Sequence, residues 1–132
     1  MKVLLDTDIT SYLFGNRAER VRERFLDYAA GDVGISSITA AELAFGVSVN
    51  PSARNRRSVE LALEALTIVP FDRNAVHFYG ELRAGLHRRG TLIGALDMLI
   101  AAQALSLDVP LVTNNLREFR RVPGLRVENW AE

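Results

Sequence analysis

The sequence predicts an α/β fold: a three-layer α/β/α sandwich around a central, mainly parallel sheet of four to five strands. Three features predict it. Short apolar runs alternate with segments of helical period, the runs are too short to be helices, and acidic or hydroxyl residues stand where the runs stop. Strands separated by helices are joined by crossovers, which makes neighbouring strands parallel and covers both sheet faces.

The first run is Val3-Leu4-Leu5, stopped by Asp6. Asp6 fits a turn after the strand, and Asp8 fits the N-cap of the helix that follows. Val21, Phe25 and Tyr28 share one helical face. Val33-Gly34-Ile35 is the second strand, ending at Ser36 and Ser37. Ala40, Leu43, Ala44 and Val47 recur at helical spacing, as do Val59, Ala62, Leu63 and Leu66. Thr39-x-x-Glu42 has the spacing of a capping box, with Thr39 at the cap and Glu42 reaching back to its amide. Ile68-Val69 is the third strand. Val76, Tyr79, Leu82 and Leu86 mark a helix that Asp72 caps and Gly90 ends. Leu96 to Leu107 is apolar almost all round, apart from Asp97 and Gln103, and is predicted to be buried on most sides. Val109 to Val112 is the fourth strand, and Leu125 to Val127 a fifth at an edge.

Composition narrows the functional classes. The 132 residues fit one domain, spanning 1–132, with 48% apolar residues to build its core. No cysteine is present, which excludes disulfides, thiolate metal sites and a cysteine nucleophile. Sixteen basic residues balance 16 acidic ones, so only the distribution of charge can speak for a nucleic-acid partner. Lys2 is the sole lysine. No apolar run approaches the roughly 20 residues of a membrane span, and the N-terminus lacks the pattern of a signal peptide. A cytoplasmic location, away from any membrane, is the expectation by elimination.

Three carboxylates stand in unusually apolar settings: Asp6 at the first strand's end, Glu42 in Ile38-Thr39-Ala40-Ala41-Glu42-Leu43, and Asp97 in Ala95-Leu96-Asp97-Met98-Leu99. A buried carboxylate is costly unless it is paired or coordinates a cation. Each has a local explanation as a cap, a turn residue or a partner of a helix N-terminus. In an open parallel sheet, however, the strand ends gather at one edge, and sites form there. Asp6, Ser36, Ser37 and Thr113 all fall at that edge. An oxygen-rich site with few histidines suits Mg²⁺ or Mn²⁺ rather than Zn²⁺.

Four ordered segments resemble the PIN-domain ribonucleases, and in particular the VapC toxins of toxin–antitoxin pairs. They are Val3-Leu4-Leu5-Asp6-Thr7-Asp8-Ile9, Ser36-Ser37-Ile38-Thr39-Ala40-Ala41-Glu42-Leu43-Ala44-Phe45-Gly46, Ile93-Gly94-Ala95-Leu96-Asp97-Met98-Leu99-Ile100-Ala101-Ala102, and Leu111-Val112-Thr113-Asn114-Asn115 with Glu118-Phe119 and the tail to Trp130. The resemblance spans nearly the whole chain. It implies a Mg²⁺- or Mn²⁺-dependent endoribonuclease that hydrolyses tRNA or rRNA, leaves a 5′-phosphate and a 3′-hydroxyl, and so inhibits translation. It implies Asp6, Glu42 and Asp97 as the catalytic and metal-binding acids, with Thr113 bonding an acid or the attacking water. Many PIN domains carry a further aspartate where this chain has Asn115. Asn115 can coordinate through its carbonyl without adding charge, and Glu118 is the neighbouring acid that can replace it; the second of two metal ions depends on which does so. The resemblance also implies a VapB-type antitoxin and a homodimer.

RNA phosphate needs cations around an acidic centre. The candidates are Arg83, Arg88 and Arg89 near one helix end, and Arg117, Arg120 and Arg121 after the fourth strand, set against their reading as solvated helix surface. Two rivals remain. Asp6-x-Asp8-x-Thr10 also fits the first motif of haloacid-dehalogenase-like phosphatases, but these need a downstream lysine, and Lys2 lies upstream. The other rival is a catalytically weakened PIN-like protein-binding domain, for which Asn115 is the sole sequence argument.

Overall fold

The computed structural model describes residues 1–14 and 19–131. Among the described residues, twelve elements follow one another: β1 (Val3–Leu5), α1 (Thr7–Phe14), α2 (Glu19–Leu26), β2 (Val33–Ser36), α3 (Ser37–Val49), α4 (Ala53–Ala65), β3 (Thr67–Val69), α5 (Arg73–Arg88), α6 (Ala95–Leu107), β4 (Leu111–Val112), α7 (Leu116–Phe119) and β5 (Val127–Glu128). The five strands form one sheet in the order β3-β2-β1-β4-β5, and every neighbouring pair is parallel. The sheet is thus wholly parallel where the sequence predicts a mainly parallel one.

Alternation along the strands divides the core between two layers. Val3 and Leu5 of β1 and Val112 of β4 face one side, where they meet Ile9, Leu13, Val21, Ala62 and Leu66 from α1, α2, α4 and the end of α4. Leu4 and Leu111 face the other side and meet Leu82 and Leu86 of α5 and the Met98–Ala104 stretch of α6. Trp130 closes the first layer, fully buried and stacked on Tyr28 at 5.4 Å between ring centroids. The segment leading to Trp130 is therefore anchored in the core.

The helical faces differ from the sequence pattern at particular residues. Leu82 and Leu86 of α5 are buried as predicted, but Val76 is 56% exposed and Ala75 beside it is buried in its place. Ala44 is exposed as well, because α3 buries only Thr39 and Leu43 completely. Asp72 caps α5 through the Ala75 amide as predicted, and Gly90 follows that helix at φ +67, a conformation glycine adopts without penalty. Asp108 ends α6 in the left-handed region at φ 53. The fourth strand is shorter than expected, because Pro110 precedes it and has no amide to pair. The fifth begins at Val127 rather than Leu125, after the turn at Gly124.

Two capping assignments are corrected. The Asp6 carboxylate, not Asp8, caps α1, accepting the Ile9 amide at 2.9 Å. Ser36, not Thr39, caps α3 through the Ile38 amide at 3.0 Å. Thr39 lies inside the helix, so no capping box forms and Glu42 is available for another partner.

Candidate active site

The carboxyl ends of β1, β2 and β4 form one edge, with α6 beginning beside it. Asp6 leaves β1, the middle strand of the sheet, and is only 4% exposed. Its Oδ1 accepts the Ile9 amide, and its Oδ2 accepts the Thr113 hydroxyl at 2.5 Å. Thr113 follows β4 directly, so the parallel pairing of β1 with β4 brings the two together. The Thr113 oxygen in turn accepts the Asn115 amide at 2.9 Å.

Glu42 approaches from the second turn of α3. Its Oε1 accepts the Thr7 hydroxyl at 2.7 Å. Asp97 stands in the first turn of α6, beside Glu118 of α7. Glu118 is itself engaged: Oε1 accepts the Gly94 amide at 2.5 Å and Oε2 accepts the Asn115 amide group at 2.6 Å. A Cβ on Gly94 would stand 3.3 Å from both Asp97 Oδ2 and Glu118 Oε1, so a side chain there would crowd both carboxyls at the helix start.

The electrostatics follow from this crowding. Burial pushes the Asp6 carboxyl up to about 6, against the lowering pull of the Thr113 hydroxyl and the Ile9 amide, with Asp8 and Glu42 adding to the rise. Burial, then the charge and hydrogen bond of Glu118, then the charges of Asp6 and Glu42, push Asp97 up to about 7. The charges of Glu118, Asp6 and Glu42 thus all act on Asp97, and that of Glu42 acts on Asp6.

Such a donor set, carboxylate oxygens throughout, fits the chemistry of a hard divalent cation. Among the described residues, no three histidine, cysteine, aspartate or glutamate side chains are placed so that together they could hold a metal ion. Glu42 is turned to Thr7, and Glu118 to Gly94 and Asn115.

The arginines are less convergent. Arg83 bonds the Tyr79 hydroxyl of its own helix at 2.7 Å. Arg89 lines a separate hollow with Phe78, Leu105 and Pro123. Arg121 donates to the Leu92 carbonyl at 3.1 Å, beside the loop that carries Gly94. Arg88, Arg117 and Arg120 are exposed near helix ends. Sequence reasoning missed Thr7 and Gly94; the signals were a hydroxyl between two aspartates and a glycine just before a buried helix. A groove of about 290 Å³ opens beside Thr7 and Glu42, walled by α1, α3 and α4.

A family model described as the PIN domain matches residues 3–125, which carry the whole of this edge. The chain belongs to the PIN-domain family. Within the family, this PIN domain is 41% identical to the tRNA(fMet)-specific endonuclease VapC of Salmonella typhimurium, with 99% of each chain covered. It is 43% identical to the Ribonuclease VapC2 of Haemophilus influenzae, again over 99% of each. Its fold matches the VapBC2 structure from Rickettsia felis bound to a promoter DNA fragment, with TM-score 0.91 and 36% identity over 98% of this chain and 99% of that one. This PIN domain is accordingly an endoribonuclease of the VapC toxin class. No helix among its described residues is long and apolar enough to cross a membrane.

Proposed function

We propose that the chain, as one PIN domain, hydrolyses RNA phosphodiester bonds at the acidic edge with the help of Mg²⁺ or Mn²⁺. The observation that carries this reading is the placement of buried Asp6 at the end of β1 and of Asp97 in the first turn of α6 beside it, where burial and neighbouring carboxylates, Glu42 among them, raise both carboxyls. Asp6 and Asp97 would hold the ion, with Glu42 contacting it directly or through water. A bound divalent ion supplies charge neutralisation at the scissile phosphate and a more acidic attacking water.

The chain's own residues do the rest. Thr113 and the Ile9 amide stabilise ionised Asp6 in a setting from which solvent is nearly excluded. Glu118 adds the charge that Asn115 lacks, and Asn115 fixes one of its oxygens. Arg88, Arg117, Arg120 and Arg121 would engage the RNA backbone around this centre, where the acids alone repel phosphate. Arg83 and Arg89 are weaker candidates, given their contacts with Tyr79 and with the hollow beside Gly85. In-line attack would leave a 5′-phosphate and a 3′-hydroxyl.

The name of the Salmonella relative supports a tRNA substrate, initiator tRNA first among them. The Rickettsia neighbour supports a VapB-type antitoxin as partner. A homodimer and a cytoplasmic location complete the reading. The test is incubation of the purified protein with total tRNA and with rRNA, with mapping of the new 5′ ends. Endonucleolytic cuts bearing 5′-phosphates, dependent on Mg²⁺ or Mn²⁺ and absent in Asp97→Asn, are expected. Cleavage that survives chelation of divalent ions overturns the metal-dependent reading.

A further inference from the structure

We propose that Thr7 is a positioning residue for Glu42, acting through an ordered hydroxyl chain that begins at Thr39. The inference rests on the reading of Glu42 as an acid of the active site. Thr7 Oγ1 lies 2.7 Å from Glu42 Oε1 and 3.2 Å from Thr39 Oγ1. A hydroxyl has one proton and two lone pairs. The shorter contact, to the carboxylate, takes the Thr7 proton, since a charge-assisted bond is the stronger one. Thr7 must then accept from Thr39. The direction is fixed: Thr39 donates to Thr7, and Thr7 donates to Glu42.

This chain joins two elements that carry site acids. Thr7 follows Asp6 in sequence and opens α1, whereas Thr39 and Glu42 belong to α3, which follows the neighbouring strand. Thr39 is fully buried, so its hydroxyl has no competing solvent. Glutamate is among the side chains that lose most rotamer freedom on being fixed, and Glu42 is only half-buried. Holding Oε1 at the Asp6 end of the sheet settles where the carboxylate stands. Among the described residues, Glu42 Oε2 has no hydrogen-bond partner, so it remains for a cation or a water. Thr7 also borders the groove beside Glu42 without itself offering a charge to substrate.

The experiment compares Thr7→Val, Thr7→Ser, Thr39→Val and Glu42→Gln with the unaltered protein. Each is assayed for RNA cleavage, for Mn²⁺ affinity by calorimetry without RNA, and for thermal stability. Thr7→Val is expected to lose roughly 10-fold or more in Mn²⁺ affinity and in kcat, with KM for RNA little changed, as for removal of an outer-shell partner. Thr7→Ser, which keeps the hydroxyl, should stay within about twofold of the unaltered protein. Thr39→Val should fall between them, and it carries the test if Thr7→Val does not fold. Normal Mn²⁺ affinity and kcat in folded Thr7→Val, beside an inactive Glu42→Gln, overturns the role of Thr7 alone. Equal losses in Thr7→Ser and Thr7→Val also overturn it, since the methyl group would then matter rather than the hydroxyl. Full activity in Glu42→Gln overturns the reading of Glu42 itself, and the positioning role with it.

Discussion

The Thr113 hydroxyl donates to Asp6 Oδ2 at 2.5 Å, joining residues 107 positions apart in the sequence. Of the two hydrogen bonds that the Asp6 carboxylate accepts among the described residues, it is the one that depends on tertiary structure, because the Ile9 amide is local. Replacing Thr113 by Val keeps the shape and removes the donor. A hydrogen bond to a buried charged group contributes roughly 1.5–3 kcal/mol, and Thr113→Val should lose stability in that range in urea titrations near neutral pH. A loss below about 0.5 kcal/mol would show that Asp6 does not depend on the hydroxyl.

Asp97 gives a pH signature to the cation-free protein. Its carboxyl titrates near 3.8 when unperturbed and is pushed up to about 7 in the fold. Between these values the folded chain holds a proton that the unfolded chain has released. The contribution to stability is therefore complete below the lower value and is lost as pH rises through the upper one. Asp6, raised to about 6, acts in the same direction. Melting temperatures measured in chelator should fall from pH 5 to pH 8, and Asp97→Asn should fall less steeply. A parallel fall in the two proteins would remove Asp97 as a source.

Glu118 and Asn115 are separable. Glu118→Gln keeps a carbonyl for the Gly94 amide but removes the charge beside Asp97. It should lower Mn²⁺ affinity by roughly 10- to 100-fold. Asn115→Ala removes only a support of Glu118 and should cost about 10-fold or less. The reverse order, read by calorimetry, would make Asn115 the direct ligand.

Trp130 tests whether the segment leading to it belongs to the core. It is fully buried, stacks on Tyr28 and lies beneath the Arg24 guanidinium at 5.8 Å. Trp130→Ala should cost about 3–5 kcal/mol in chemical denaturation. A near-neutral effect would mean that the tail packs only loosely.

Much of this was legible in the sequence because of strong local signals. Val3-Leu4-Leu5 stopped by Asp6 marked a buried strand with a candidate acid at its end, and Asp97 stood out against the apolar stretch that becomes α6. What was not legible depended on tertiary choices. Ser36, Ser37 and Thr39 all offer a hydroxyl for the α3 cap, and Ser36 takes it at the residue where β2 still pairs with Val69 of β3. That choice releases Glu42 from a capping role and gives it to Thr7, a partner 35 positions away. Val76 and Ala44 suited a core face equally well by spacing, and only packing against neighbours turned them outward. The arginines carried no periodic signal at all. Their contacts, such as Arg83 with Tyr79 and Arg121 with the Leu92 carbonyl, are set by surface geometry.

The most direct measurement is calorimetric titration of Mn²⁺ into the metal-free protein and into Asp6→Asn and Asp97→Asn, each shown to be folded. Saturable binding by the unaltered chain, lost or greatly weakened in both variants, is the predicted result. Equal binding in all three proteins, or none in the unaltered one across millimolar Mn²⁺, would contradict the assignment of these acids as the ligands of a catalytic cation.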